Sequence, residues 1–231
     1  YLTKLTEEGL VTATGRTRSR QYKLRDLVYE LFRKNVSPSM EDDAIWRENI
    51  LPFMTNLKPN VVDICQYGFT EILSNVIDHS ESQTVLCHIK RNAIWVELGI
   101  IDYGVGIFNK IQKAFNLNDP RQALLELSKG KLTSDPKHHS GEGIFFTSRM
   151  FDRFIILSKP LFYSRESKYG SEHLIEVGES PLEGTDVEMG ISPDSERTMK
   201  SVFDTYSPDK DNYGFTRTHV LIKLAKYGEE Q

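Results

Sequence analysis

The feature that most constrains the fold is a helical pattern over residues 61–79 that carries a line of polar side chains. Its last part reads TEILSNVIDHSES over residues 70–82, and its apolar residues recur at helical spacing. Residues three and four positions apart lie on one face of a helix, so Glu71, Asn75 and Asp78 project together. The pattern predicts a helix that packs through one face and presents carboxylate and amide groups on another.

The segments around this helix predict an α+β fold, a two-layer α/β sandwich with helices on one face of a mixed sheet. Residues 41–57 predict an earlier helix that is kinked at Pro52, because proline distorts helices. Two strands are expected within residues 84–102, and a helix is expected within 195–205. Four more short strands are expected in the segments RFIILSK, LFYSRES, SEHLIEVG and GTDVEMGIS.

Composition limits the class of protein. The chain has 231 residues with 39% hydrophobic and 27% charged residues, which is ordinary for a globular domain. The net charge of −4 gives no bulk argument for nucleic-acid binding. Cys65 and Cys87 lie in apolar surroundings and are expected to be core thiols. No apolar run reaches the ~18 residues of a membrane span, so we expect no membrane partner and a cytoplasmic location.

The first 35 residues predict a small separate unit. Residues 1–24 indicate a short helix, a strand, a basic turn and a returning strand, and residues 25–35 indicate an amphipathic linker helix. The turn carries Arg16, Arg18 and Arg20. This order resembles the end of a winged helix, which implies contact of the arginines with DNA phosphates or a groove. The alternative is a solvated basic hairpin.

Two glycine-containing segments accompany the polar helix. Asp102 ends the second strand and is followed by Gly104 and Gly106, an arrangement that lets the chain turn tightly close to a ligand. A carboxylate there can accept a hydrogen bond from a neutral amine. Gly141 and Gly143 precede a helix whose free N–H groups and dipole favour a phosphate.

Taken together and in this order, the segments resemble the Bergerat-fold ATPases of the GHKL superfamily, over roughly residues 41 to 192. The segment FTEILSNVIDHS is similar to that family's N box, IIDYGVGI to its first glycine box, and HHSGEGIFFTSRM to its second. The segment EGTDVEM is similar to its late Gly-Thr strand. The resemblance implies that the chain binds ATP or ADP with Mg²⁺.

The resemblance also implies a role for each matching residue. Glu71 matches the catalytic carboxylate and Asn75 the Mg²⁺ ligand, whereas Asp102 matches the acceptor of the adenine amine. Residues 108–140 correspond to the ATP lid. The other matching positions shape or face the nucleotide: Asp78, His79, Gly104, Gly106, Gly141, Gly143 and Thr185. Candidates for a basic phosphate contact are Lys129, Lys131, Lys137 and Arg149.

Within the superfamily, the sequence most resembles the serine-kinase anti-sigma factors. The expected helices at 25–35 and 41–57 contain no histidine, which argues against a histidine kinase with its phosphoacceptor there. Residues 212–231 resemble the first strand of a STAS-like domain, or else form a C-terminal strand. We therefore expect the ATPase domain to cover residues 41–205 and the chain to be part of a longer protein.

Three functional hypotheses remain open at this stage. The first is a nucleotide-dependent switch in signalling or transcription control. The second is a protein serine/threonine kinase, or a slow ATPase, acting on a STAS-like partner or domain through Glu71. The third is a non-catalytic interaction module. A homodimer is compatible with each of them.

Overall fold

The structure is a computed structural model that describes residues 1–123, 127, 143–167, 171–176, 183–206 and 222–225. It confirms the α+β class. The helices are α1 (Leu2–Glu7), α2 (Asp42–Asn49), α3 (Pro59–His79), α4 (Ile107–Ala114), α5 (Gly143–Met150) and α6 (Met199–Tyr206). The expected helix over 41–57 is shorter: α2 ends at Asn49, and a short 3₁₀ segment over Leu51–Phe53, which contains Pro52, follows it. None of the described helices is long and apolar enough to cross a membrane.

The strands form two separate sheets. Strands β1 (Val11–Thr14) and β2 (Gln21–Leu24) pair as an antiparallel hairpin, as expected for residues 1–24. The remaining described strands form one mixed sheet in the order β10-β8-β7-β6-β9-β5-β4-β3, and among them only β10 pairs in parallel. Their bounds are β3 Val28–Asn35, β4 Thr84–Arg91, β5 Val96–Asp102, β6 Arg153–Ser158, β7 Leu161–Glu166, β8 Ser171–Glu176, β9 Asp186–Ile191 and β10 Ile222–Ala225.

The predicted linker helix at residues 25–35 is wrong, because residues 28–35 form strand β3. This strand runs antiparallel to β4, with Val28 opposite Arg91 and Asn35 opposite Thr84. Val28 and Phe32 are four residues apart, a spacing that suits one helix face and equally one strand face. Pairing with β4, which lies about fifty residues away in sequence, decides between the two. The segment therefore belongs to the main sheet and not to a linker.

The core lies between the sheet and the helices on one of its faces. Strand β4 alternates strictly, with Val85, Cys87 and Ile89 fully buried on the helix side. Helix α3 buries a stripe at helical spacing, which runs from Val61 to Val76. Both cysteines are buried free thiols, and burial raises the pKa of Cys87 to about 12. The apolar line of α3 thus packs on the sheet, as the sequence predicts.

Parts of three predictions fall outside the described residues. Residues 124–126 and 128–140 of the lid (residues 108–140) lie there, together with Gly141 and most of the segment 212–231. Within that last segment, residues 222–225 extend the main sheet beside β8. This pairing agrees with the C-terminal-strand reading, whereas a STAS-like domain stays a prediction.

Candidate functional site

Helix α3 carries the first group of predicted site residues. Glu71, Asn75 and His79 are half-buried, and Asp78 is exposed in the last turn. The Nδ2 atom of Asn75 donates to the carbonyl of Glu71 at 2.7 Å. This bond fixes the orientation of the amide, so Oδ1 is the atom that Asn75 can offer to a cation.

Strand β5 ends in a buried carboxylate, Asp102, which is only 3% exposed. Its Oδ1 accepts a hydrogen bond from the Gly104 N–H at 2.8 Å, and its own N–H donates to the Thr185 carbonyl at 2.9 Å. Burial raises the pKa of Asp102 above its usual value, and hydrogen bonds from Gly104 and Thr185 offset part of that rise. Perturbed buried carboxyls of this kind are frequent at functional sites.

Thr185 connects the start of β9 to two other elements. Its hydroxyl is nearly buried, and its Oγ1 accepts from the Ile107 N–H, the first residue of α4, at 3.0 Å. Because its carbonyl also accepts from Asp102, one threonine holds the end of β5 and the start of α4 together. The structure therefore brings Thr185 and Asp102 together, as the sequence prediction requires.

Gly184 is a site residue that the sequence analysis missed. A Cβ atom at this position would lie 2.1 Å from the Asp102 carbonyl oxygen and 2.6 Å from its Oδ1. Only glycine lets the chain pass so close to the carboxyl. In the sequence, its position directly before Thr185 in the segment EGTDVEM could have indicated that it belongs to the site.

The two glycines after Asp102 permit close packing of the turn. A Cβ atom at Gly104 would lie 1.8 Å from the Ser80 carbonyl oxygen. Gly106 has a φ of 77°, which L side chains rarely adopt, and its Cβ would lie 2.7 Å from the Ser158 Oγ. The turn is thus held directly against the segment that follows α3.

Ser80 and Ser82 form a small network that supports this turn, and the sequence analysis gave them no role. The Ser80 hydroxyl donates to the Val76 carbonyl at 2.7 Å and accepts from the Ser82 N–H at 3.0 Å. The Ser82 Oγ accepts from the Tyr103 N–H at 3.0 Å. In the sequence, only their position in the segment DHSES, directly after the helical motif, could have indicated a role at the site.

The start of α5 lies against Glu71. A Cβ atom at Gly143 would come within 2.0 Å of the Glu71 Oε2, so the carboxylate touches the backbone at the helix amino end. Helix amino ends favour negative groups. Helix α3 thus contacts two parts of the candidate site. Glu71 lies against the start of α5, and the segment after α3 lies against the turn that follows Asp102.

The protein oxygen atoms at this site suit Mg²⁺ only if phosphate oxygens of a bound ligand also coordinate the ion. Among the described residues, no three His, Cys, Asp or Glu side chains are grouped to hold a metal ion. Mg²⁺ usually keeps several waters and takes one or two protein oxygens together with substrate phosphates. The Asn75 Oδ1 fits that limited role, since the amide nitrogen is already engaged.

Arg149, one candidate for a phosphate contact, is instead a packing residue of α5 and α6. Its side chain is 8% exposed, and its guanidinium lies 3.4 Å from the centre of the Phe145 ring and 5.3 Å from that of Tyr206. Burial, together with the nearby charge of Arg165, lowers the pKa of Arg149 to about 10. The lysine candidates 129, 131 and 137 lie outside the described residues.

The three arginines of the predicted wing are separate from this site. Arg16, Arg18 and Arg20 lie in the exposed connection between β1 and β2, outside the main sheet. The Arg20 guanidinium lies 5.3 Å from the centre of the Tyr22 ring. The hairpin thus presents basic and aromatic groups to solvent.

Comparison with known proteins gives no assignment: no family model matches the chain, and no curated protein matches it significantly. The arrangement of residues around Asp102 and Glu71 is therefore the basis for assigning a function.

Proposed function

We propose that the chain is an ATP- and Mg²⁺-binding regulatory protein of the GHKL type, acting in the cytoplasm as a nucleotide-dependent switch in signalling or transcription control. The observation that carries the proposal is the buried carboxyl of Asp102, held by Thr185 where the end of β5 meets the start of β9. The described residues of the three motifs and of the Gly-Thr strand lie on α3, β5, α4, α5 and β9 or within a few residues of their ends.

Each side chain has a role that its surroundings support. One oxygen of Asp102 accepts from Gly104, and the carboxylate retains acceptor capacity for the amine of adenine. Burial strengthens such a bond because water does not compete there. Asn75 would hold Mg²⁺ through Oδ1, and Gly143 would face the phosphates at the start of α5. The bound nucleotide would supply a transferable phosphoryl group.

The kinase hypothesis is the alternative within the same site. Glu71 is the carboxylate beside the start of α5 and would act as the base toward a serine hydroxyl. Transfer of labelled phosphate from ATP to a partner, lost in Glu71→Gln, would support a kinase. A Glu71→Gln protein that still binds ATP and still regulates would support a switch.

A second candidate function is DNA contact by the β1–β2 hairpin. All four residues of its strand β2 are exposed, and five basic residues occur among residues 16–25, with no acidic residue between them. This local charge contrasts with the net charge of −4 for the whole chain. Arginine guanidiniums are well suited to phosphate oxygens.

The test of the ATP proposal is calorimetric titration with Mg²⁺–ATP on the wild type and two isosteric variants. Asp102→Asn places a donor where the adenine amine needs an acceptor, and we expect at least ~10-fold weaker binding, or about 1.4 kcal/mol. Asp186→Asn is the matched control, because Asp186 is also a partly desolvated carboxyl but starts β9 on the opposite sheet face.

Binding by the wild type and by Asp186→Asn, with a clear loss in Asp102→Asn, would support the adenine site. Equal affinity in all three proteins would remove Asp102 from it. Absence of binding by the wild type would leave the third hypothesis, an interaction module without nucleotide.

A further inference from the structure

The edge strand β3 presents an unpaired row of backbone groups in the described part of the sheet. It is eight residues long and pairs with β4 on one side only. The pairing of β3 with β4 continues beyond Asn35, where the Val36 N–H donates to the Gln83 carbonyl at 2.9 Å. The even-numbered residues of β3 therefore direct their backbone N–H and C=O groups toward β4. Backbone groups alternate along an antiparallel strand, and the odd-numbered residues 29, 31, 33 and 35 therefore point outward.

Large exposed apolar side chains are concentrated in the part of the chain that ends in this strand. Of the eleven large apolar side chains exposed in the described residues, seven lie within residues 1–31. Two of them stand on β3 itself, Tyr29 at 58% and Leu31 at 50% exposure. A long edge strand with neighbouring exposed apolar groups is a template for pairing with another strand.

We propose that the occupant of this edge is β3 of a second copy of the chain, paired antiparallel about a two-fold axis through Phe32. In that register Glu30 stands opposite Lys34 of the other copy, twice per dimer. Opposite charges at directly facing positions stabilise a strand pair. The sheet would then run continuously through both copies.

The register follows from geometry and charge. A two-fold axis normal to the sheet keeps each side chain on its own face, so odd residues must meet odd residues and even must meet even. Centring on Leu31 would place Glu30 opposite Phe32 and leave both charges unpaired. Centring on Arg33 would place the two Arg33 side chains opposite each other. Only the Phe32 register pairs both charges, and this self-complementarity favours a second copy over a different partner.

A charge-reversal cycle on the full chain tests the proposal. Sedimentation equilibrium would compare the wild type with Glu30→Lys, Lys34→Glu and the double variant. Each single reversal creates two like-charge pairs, and we expect the dimer dissociation constant to rise at least ~10-fold. The double variant restores both pairs, and its dissociation constant should return to within about 3-fold of the wild type. Residues four apart in one strand are ~13 Å apart, so this rescue cannot arise within one copy.

Leu31→Pro provides a second test that does not depend on charge. Proline there removes an outward N–H while leaving the pairing with β4, and proline is tolerated in edge strands on that side. We expect a folded monomer, with folding checked by circular dichroism. A wild type that stays monomeric over the whole concentration range would overturn the proposal. Binding of a different protein at this edge by a monomeric wild type would overturn it as well. So would a dimer unaffected by the single reversals, or one that the double variant fails to restore.

Discussion

Replacing Asp186 by asparagine should stabilise the protein at neutral pH and have a smaller effect in acid. Asp186 begins β9, and its Oδ1 is buried and has no hydrogen-bond partner among the described residues. Burial, together with the negative charge of Glu188, raises the pKa of Asp186 from 3.8 to about 6, although His88 lowers it in part. The folded protein therefore resists ionisation of this carboxyl, whereas the unfolded chain does not.

The sign and size follow from linkage. A carboxyl with a higher pKa in the folded state costs no stability below about pH 4, and its cost grows as the pH rises through about 6. A difference of about 2 between the folded and unfolded pKa corresponds to about 3 kcal/mol at pH 7.5 and about 1 kcal/mol at pH 4.5. The side chain is partly exposed, and solvent screening reduces these figures by roughly half. We expect a gain of about 1.5 kcal/mol at pH 7.5 and about 0.5 kcal/mol at pH 4.5.

His88 adds a dependence of the same sign in the wild type. Its Nε2 lies 3.4 Å from the Glu188 Oε2, and this partner raises the pKa of His88. The resulting stability is present at low pH and is lost as the pH rises through the raised pKa. The Asp186→Asn variant keeps the His88–Glu188 pair, so the comparison isolates the Asp186 carboxyl as far as the cluster allows.

The assay is urea unfolding of wild type and Asp186→Asn at pH 4.5, 6.0 and 7.5, followed by circular dichroism. Asp63→Asn is the control, because Asp63 is exposed on α3 and its replacement should change the free energy of unfolding by less than about 0.5 kcal/mol. An Asp186→Asn protein that is less stable than wild type at pH 7.5, or that gains more at pH 4.5 than at pH 7.5, would refute the reasoning.

Two further predictions concern backbone contacts at the site and charge on the hairpin. Gly104→Ala should lower the free energy of unfolding by at least ~2 kcal/mol, because the added Cβ would meet the Ser80 carbonyl. Gly143→Ala should lower it by less than ~1 kcal/mol, because the added Cβ would meet only the movable end of the Glu71 side chain. Thermal unfolding of both variants checks this, and equal losses of stability would contradict it. Arg18→Ala should weaken binding to duplex DNA of any sequence and reduce its salt slope by about 1, and an unchanged slope in a fluorescence titration would exclude Arg18 as a phosphate contact.

Local sequence patterns predicted most of the elements that position the site. The apolar stripe of α3 requires a helix because it repeats every three to four residues, and the polar line with Glu71 and Asn75 follows from the same period. Strands β6 to β9 alternate in the way that half-buried strands require. The turn after Asp102 could be predicted because closely spaced glycines are a strong sequence signal for a turn.

Long-range pairing decided what local patterns left open. Residues 28–35 carry a spacing that fits a helix and a strand equally, and the hydrogen bonds to β4 make them a strand. The closeness of Gly184 to Asp102, and the packing of Gly104 on Ser80, each join parts of the chain that no short window contains. The sequence alone allowed Arg149 to be a phosphate contact, but in the folded chain its guanidinium lies against the rings of Phe145 and Tyr206.

The sequence by itself determined the type of most helices and strands, the order of the motifs and the residue types available for chemistry, because these depend largely on neighbours within a few positions. The tertiary structure alone decided that residues 28–35 form an edge strand, that Asp102 is desolvated, and that Glu71 touches the start of α5. Burial and close contact are properties of the packed chain, since each depends on atoms brought from distant positions.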